Sequence, residues 1–236
     1  MKVLITRAEP QATQTSQNLD RSGHEAICLP LSEIIDLGTA IPELQYDGII
    51  FTSKNAVDIL KNRSWTPKNF NIPTYCVGEK TQQAAKAYGF NTTHTAYGGG
   101  KALTKLINEM NINKGRLLYP STPEKNFDIS QALKSEDLHI DTIDIYRANP
   151  LTPPRKESQK ALKKVMKDYI FVYSALSGKN LMEILNTENL TNSLQDCTLI
   201  GISKQAIQFL EHIEWKEVLI ADEPNEEQMI TLIDLP

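Results

Sequence analysis

The sequence predicts an α/β protein with two parallel sheets, and two repeated patterns are the basis of this prediction. First, a unit of strand, hydroxyl-bearing turn and helix occurs twice, at residues 47–60 and 168–185. Second, another pattern of strand, helix and strand also occurs twice, once before each of these units. The resulting order is A–B–A′–B′, with A at 2–31, B at 47–110, A′ at 116–146 and B′ from 168 onward.

The individual elements follow from local signals. Each apolar run is too short for a helix and is rich in β-branched and aromatic residues, which is typical of buried strands. Ser53 has the position of a helix cap, and Gly23 and Gly89 end helical segments. The predicted strands are 2–6, 25–31, 48–51, 74–77, 91–96, 116–121, 139–146, 169–173, 197–201 and 217–221. The longer predicted helices are 10–22, 82–88, 102–110, 124–135 and 204–212, and residues 32–46 are predicted to be a connector.

Connector lengths predict how the segments pair. Only about four residues separate B from A′, a normal loop within one domain. The A-to-B and A′-to-B′ connectors are longer and contain prolines, as interdomain crossings do. We therefore expect two doubly wound, flavodoxin-like parallel-sheet domains joined by a two-stranded linker, one of them discontinuous. The predicted boundaries are 1–33 with 165–236 for the discontinuous domain, 46–146 for the inserted domain, and 34–45 and 147–164 for the linkers.

Composition narrows the class of protein. The 236 residues are 40% hydrophobic with a formal net charge of −4, typical of a globular protein and unlike a nucleic-acid binder with a basic face. No signal peptide or membrane-length apolar run is visible. The three cysteines and four histidines lack metal-ligand spacing. We expect buried thiols, surface histidines, no metal, no nucleic-acid or membrane partner, a monomeric state and a cytoplasmic location.

Candidate binding residues follow the strands. Ligands of open α/β sheets bind beyond the carboxyl ends of the strands, where free helix N–H groups attract anions. The small, hydroxyl-bearing or cationic residues at these positions are Arg7, Thr52, Ser53, Gly78, Thr81, Ser121, Ser174, Gly201 and Ser203. Each hydroxyl can be interpreted as a simple helix cap. Taken together, they favour a receptor for carboxylates or phosphates.

Two residues suggest chemistry beyond binding, each with an alternative. Tyr146 ends a predicted strand and is either an interface residue or a phenol that donates a proton. Arg7 is either a solvated charge or a cation for an anionic ligand. The sequence contains no nucleophile elbow and no G-x-G-x-x-G after a strand, and the glycine run at 98–100 reads as a loop.

Several short motifs, in this order and over nearly the whole chain, resemble the uroporphyrinogen-III synthase family. The N-terminal and central matches are VLITR at 3–7, FTSxNAV at 51–57, VGxxT at 77–81 and IY at 145–146. IGxS at 200–203 and EP at 223–224 agree in the C-terminal part. Lys204 and the sequence Ser-Ala-Leu-Ser at 174–177 depart from the family pattern.

The resemblance implies a cofactor-free lyase of tetrapyrrole synthesis, with its active site in the cleft between two α/β lobes. Such an enzyme closes the polycarboxylate hydroxymethylbilane to uroporphyrinogen III, losing water and inverting the last pyrrole ring. The resemblance implies that Tyr146 is the proton donor and that Thr81 and Ser203 line the cleft. Two alternatives remain at this stage, a two-lobed anion-binding protein without catalytic activity and a nucleotide-dependent enzyme.

Overall fold

The structure is a computed structural model that describes residues 1–125 and 127–233. Contacts divide the chain into two compact units. Unit 1 contains Met1–Ile34 and Ala148–Pro236, and unit 2 contains Ile35–Arg147. Each unit has its own parallel sheet with helices on its faces. The predicted class, a two-domain α/β protein with one discontinuous domain, is therefore confirmed.

The elements alternate along the chain as expected for doubly wound sheets. The strands are β1 (Lys2–Ile5), β2 (Glu25–Cys28), β3 (Ser32–Asp36), β4 (Gly48–Phe51), β5 (Thr74–Val77), β6 (Thr93–Ala96), β7 (Gly115–Ser121), β8 (Leu138–Asp144), β9 (Tyr146–Pro150), β10 (Tyr169–Val172), β11 (Thr198–Gly201) and β12 (Glu217–Ile220). The helices are α1 (Gln11–Arg21), α2 (Lys54–Asn62), α3 (Glu79–Tyr88), α4 (Gly99–Glu109), α5 (Ile129–Ala132), α6 (Arg155–Lys164), α7 (Ala175–Thr187), α8 (Lys204–Ile207) and α9 (Glu226–Thr231).

The sheet of unit 1 joins the two ends of the chain. Its strand order is β12-β11-β10-β1-β2, and every neighbouring pair is parallel. The first strand lies beside β10, with Leu4 opposite Ile170. Segment A therefore pairs with B′, as the connector lengths predict. Fully buried residues such as Leu4, Ile170 and Leu199 form the core of this unit.

The sheet of unit 2 combines B and A′ in the order β6-β5-β4-β7-β8, again with parallel neighbours. All four residues of β4 are buried, which explains its continuous apolar run. Gly48 is required here because a Cβ at this position would lie 2.9 Å from the Leu117 side chain. The central strands β4 and β7 therefore pack closely, and their carboxyl ends lie side by side.

The connector predicted at 32–46 contains a strand, so the predicted two-stranded linker is confirmed although the bounds of this strand were not predicted. Residues Ser32–Asp36 form β3, which pairs with β9 in a two-stranded sheet at the crossings between the units. Gly38 and Pro42 suggested a loop, but the isoleucines Ile34 and Ile35 are β-branched and favour extended backbone. Only the later part of the predicted connector is irregular.

Two predicted helices are too long. The helix predicted at 124–135 is reduced to α5, because Asp128 caps it with an Oδ1 that accepts from the Gln131 N–H at 3.0 Å. Asn126, inside that prediction, lies outside the described residues. The helix predicted at 204–212 is reduced to the four residues of α8.

Burial also corrects two expectations. Cys76 and Cys197 are buried, but Cys28 is exposed because it ends the edge strand β2. His24 is only 7% exposed, so the prediction of surface histidines is wrong at this position.

Helix α6 lies in the stretch predicted as a linker, and its Leu162 is fully buried in the core of unit 1. Within the described ranges, no helix has the length and apolar composition needed to cross a membrane.

Candidate functional site

In unit 2, the predicted site residues meet where strands β4, β7 and β8 end. Thr52 and Ser53 follow β4, Ser121 is the last residue of β7, and Tyr146 is the first residue of β9. The parallel arrangement brings these chain ends to one edge of the sheet. The Ile145 N–H donates to the Ser121 carbonyl at 3.0 Å and fixes the chain just before Tyr146.

Tyr146 is a buried phenol within this edge. It is 6% exposed, and Ser53 lies close enough to influence its pKa. Burial raises the pKa of Tyr146, Ser53 opposes this rise, and the neighbouring Tyr119 adds to it. The net shift is upward, so Tyr146 keeps its proton at neutral pH and is available as a proton donor.

A second phenol lies beside the same turn. Tyr119, on β7, is 3% exposed, and its hydroxyl is 3.3 Å from the Thr52 Oγ1. Ser53 has extended backbone (φ −150°, ψ 143°), so the side chains of Thr52 and Ser53 project in different directions. Each of these two consecutive hydroxyl residues therefore meets its own tyrosine.

Gly78 and Thr81 occupy the start of α3, after β5. Gly78 has a φ of +77°, and no atom lies within 4 Å of a Cβ built there, so its backbone conformation and not packing favours glycine. Thr81 lies in the first turn of α3 and is 6% exposed. The first turn also contains Glu79, which offsets part of the positive field of the helix N-terminus.

In unit 1, Arg7 belongs to a buried polar network. Its Nη1 donates to Glu226 Oε2 at 2.7 Å and to Thr15 Oγ1 at 3.3 Å. Glu226 is 3% exposed and also accepts from the Thr15 hydroxyl at 2.6 Å and from Asn18 at 2.6 Å. The guanidinium lies 4.4 Å from the centre of the Tyr173 ring. The charge of Arg7 is therefore neutralised within the unit by Glu226, while 25% of its side chain remains exposed.

Tyr173 follows β10 at the same edge. Its pKa is raised mainly by burial and then by Glu226, whereas Arg7 lowers it. Thr6, next to Arg7, is also engaged internally, since its hydroxyl donates to the Phe171 carbonyl at 2.7 Å. The side chains of Arg7 and Thr6 are therefore bound within unit 1 at the edge beside β1 and β10.

The serines of unit 1 have the geometry of helix caps. Ser174 Oγ accepts from the Ser177 N–H at 3.1 Å, and Ser203 Oγ accepts from the Ala206 N–H at 3.3 Å. Ser53 caps α2 in the same way, through the Asn55 N–H at 3.1 Å. At Gly201, a Cβ would collide with the Ile207 side chain, so glycine allows α8 to pack on β11. The cap interpretation therefore holds for all three serines, and Ser53 has the tyrosine in addition.

Three residues of these edges escaped the sequence analysis: Tyr119, Tyr173 and Glu226. Tyr173 ends a predicted strand, as Tyr146 does, and that position is the signal that could have identified it, whereas Tyr119 lies inside the predicted strand 116–121 and gave no such signal. Glu226 gave no such signal, because its partners lie more than two hundred residues away in the sequence. In the part of the chain that the structure describes, no group of three or more His, Cys, Asp or Glu residues could hold a metal ion.

Comparisons with known proteins agree with one another. A family model described as "Uroporphyrinogen-III synthase HemD" matches residues 13–231. A Methanocaldococcus jannaschii protein named "Putative uroporphyrinogen-III synthase" is 25% identical over 235 residues, which cover 93% of this chain and 92% of that protein.

Two solved structures have the same fold. The crystal structure of uroporphyrinogen-III synthetase from Helicobacter pylori aligns with a TM-score of 0.68 at 18% identity, covering 98% of this chain and 97% of that one. A mutant uroporphyrinogen III synthase from Thermus thermophilus aligns with a TM-score of 0.55 at 13% identity, covering 99% and 96%.

Proposed function

Because the chain belongs to the uroporphyrinogen-III synthase family, whose members are lyases of haem biosynthesis, we propose that it converts hydroxymethylbilane to uroporphyrinogen III. The substrate class, a small tetrapyrrole, follows from the family. The finer assignments concern the residues: Tyr146 as the proton donor, and the hydroxyls and glycines at the strand ends as groups that hold the substrate carboxylates. We also propose that the enzyme acts in the cytoplasm, as a monomer, without nucleic-acid or membrane partners.

The buried, protonated phenol of Tyr146 is the observation that carries the residue assignment. Loss of water from the hydroxymethyl group requires an acid. The phenol protonates the hydroxyl oxygen, the C–O bond breaks, and its electron pair leaves with the water. The cation that remains is stabilised by the adjoining pyrrole nitrogen. Ser53 then stabilises the phenolate until a proton returns.

Ring closure needs little further chemistry from the protein. In the inverted closure, the last pyrrole ring attacks through the carbon that already bears its bridging methylene, which gives a spiro intermediate. That methylene bond breaks and re-forms at the free α-carbon on the other side of the ring nitrogen, and the proton released from that carbon balances the one consumed. No oxidant or reductant is required. The protein mainly has to hold the bilane folded so that this closure exceeds the direct one.

The proposed carboxylate contacts follow from the positions of the strand ends. Gly78 and Thr81 lie at the N-terminus of α3, and Ser121, Ser174, Gly201 and Ser203 lie at other strand or helix termini. Backbone N–H groups at helix N-termini attract carboxylates. Thr52 completes the set in unit 2. The charge of Arg7 is neutralised by Glu226, and we propose that Arg7 orients a substrate carboxylate through its remaining N–H groups.

The test is a reaction of the purified protein with freshly generated hydroxymethylbilane and no added cofactor, with the products separated by isomer. We expect mostly isomer III. Isomer I alone, at the rate of the protein-free control, would overturn the assignment and favour an anion-binding protein without catalytic activity. Boiled protein serves as a second control, because it retains the composition and loses the fold.

A further inference from the structure

A specificity-determining role emerges for a residue outside the predicted site. We propose that Tyr119 is a positioning residue that holds Thr52 in place and thereby controls which of the two possible ring closures occurs. This inference rests on the proposed function, because it concerns the partition between the two uroporphyrinogen isomers. It adds a role to a residue that the site described so far does not use.

The first argument is the contact itself. The Tyr119 hydroxyl lies 3.3 Å from Thr52 Oγ1, and either atom can be the donor. Thr52 is the last residue before the Ser53 cap of α2, so it has no neighbouring helix turn to fix its side chain. The tyrosine hydroxyl is therefore the group that selects the direction of the Thr52 hydroxyl.

The second argument is the rigidity of the tyrosine. Tyr119 is 3% exposed, and its ring packs in the core cluster with Ile50, Leu117 and Leu138. Its strand is paired on both sides, with β4 and with β8. A side chain held this way can impose its geometry on a partly exposed neighbour, whereas the reverse is not expected.

The third argument is the connection to Tyr146. Ser53 follows Thr52 directly and lies close enough to Tyr146 to lower its pKa, and β7 also fixes the approach to Tyr146 through the Ser121 carbonyl. Tyr119 and Tyr146 therefore both lie near the turn formed by Thr52 and Ser53. Tyr146 acts on the departing hydroxyl, a step that both closures share. Tyr119 acts on the group that holds the folded bilane, where the two closures differ.

These roles predict different defects in two otherwise identical substitutions. Tyr146→Phe should slow water loss and leave the enzyme-dependent isomer ratio unchanged. Tyr119→Phe should lower the ratio of isomer III to isomer I about threefold or more, because a small displacement of a binding group is sufficient to misplace a reacting carbon. The ratio is measured at several protein concentrations and corrected for the protein-free closure, so that slow turnover alone does not mimic the effect.

A double-mutant cycle tests the path through Thr52. Thr52→Val should reproduce the ratio of Tyr119→Phe, the double variant should show no additional change, and Thr52→Ser should retain the wild-type ratio. Tyr75→Phe is the matched control, because Tyr75 belongs to the same core cluster and is equally buried. We expect it to leave the ratio unchanged, with a melting temperature close to that of Tyr119→Phe.

The outcomes are distinguishable. An unchanged isomer ratio in Tyr119→Phe, or independent effects of Tyr119→Phe and Thr52→Val that multiply in the double variant, would overturn the positioning role. If Tyr75→Phe changes the isomer ratio by the same amount, the effect of Tyr119→Phe comes from general loosening of the core. That result would also overturn the positioning role. If the wild-type protein does not form isomer III, the proposed function itself is wrong. The reaction of the wild-type protein with hydroxymethylbilane is sufficient to show this.

Discussion

The carboxyl edges of the two sheets contain similar residue types but use them differently. In unit 1, Arg7 is bound to Glu226 and Thr15, and the Thr6 hydroxyl donates to a backbone carbonyl. In unit 2, the Thr52 hydroxyl lies 3.3 Å from that of Tyr119, and Ser53 influences the pKa of Tyr146; tyrosines are themselves weak acids. The first edge is an internally neutralised network, and the second is a set of neutral proton-bearing groups.

This difference indicates a division of labour within a repeated fold. A charge that is already neutralised contributes orientation and stability, because moving Arg7 would remove a cation from beside the buried Glu226 carboxylate. Neutral hydroxyls surrounded by apolar core can transfer a proton without the cost of a buried charge in the resting state. We therefore expect substitutions in unit 1 to affect stability first, and those in unit 2 to affect turnover first.

The largest effect is expected for Tyr146→Phe. Loss of the acid should lower kcat on the order of 100-fold, with KM changed less than about threefold, because the ring and its packing remain. Steady-state kinetics with hydroxymethylbilane measure both values. The control is Tyr88→Phe, which removes a hydrogen bond to the Leu60 carbonyl in the same unit. Turnover near the wild-type value in Tyr146→Phe would assign the proton to another donor.

The second-largest effect is expected for Arg7→Met, which should mainly lower the stability of unit 1. Glu226 would keep Thr15 and Asn18 but lose its cation, and we expect a loss of about 2–4 kcal/mol in unfolding free energy. Arg7→Met with Glu226→Met should recover part of that loss. Urea unfolding followed by the fluorescence of Trp215, which is buried in unit 1, measures the change. Equal stability of the single and double variants would contradict the network.

The comparison becomes sharper with two serine caps. Ser53→Ala and Ser174→Ala each remove a side-chain acceptor from a helix N-terminus, and each should cost about 1 kcal/mol of unfolding free energy. Only Ser53→Ala should also lower kcat below that of the wild-type protein, since Ser53 influences the pKa of Tyr146. Parallel melting curves and kinetic assays separate the two effects. Similar kinetic losses in both variants would remove the distinction between the edges.

The smallest effect concerns alkaline pH. The pKa values of Tyr146 and Tyr173 are raised in the folded protein, mainly by burial, so the folded state resists their ionisation. Their contribution to stability is fully present below the unfolded tyrosine pKa of about 10 and decreases as the pH rises above it. The free energy of unfolding, measured with urea from pH 7 to 11, should be constant up to about pH 9. Replacing either tyrosine with phenylalanine should reduce the decline above about pH 10.

Local features of the chain were accessible to sequence analysis. The helix caps Ser53, Ser174 and Ser203 were recognised because a hydroxyl followed by an amphipathic stretch is a short-range pattern. The errors have equally local causes. Gly38 and Pro42 indicated a loop, so the bounds of β3 were not predicted. Asp128 begins a short helix inside a longer helical pattern. Residues 147–164 were assigned to a linker that includes a lysine-rich helical stretch, and α6 forms there with a narrow apolar face that contains Leu162.

The sequence by itself determined the A–B–A′–B′ order, the pairing of its segments into two parallel sheets and the family. These depend on periodicity, connector length and short motifs, which are continuous in the chain. Only the tertiary structure decided which partner each strand-end residue has. Thr52 and Tyr119 are 67 residues apart, and Arg7 and Glu226 are 219 apart. Side chains at such separations meet only when the sheets form, because strand register, and not sequence spacing, determines their distance.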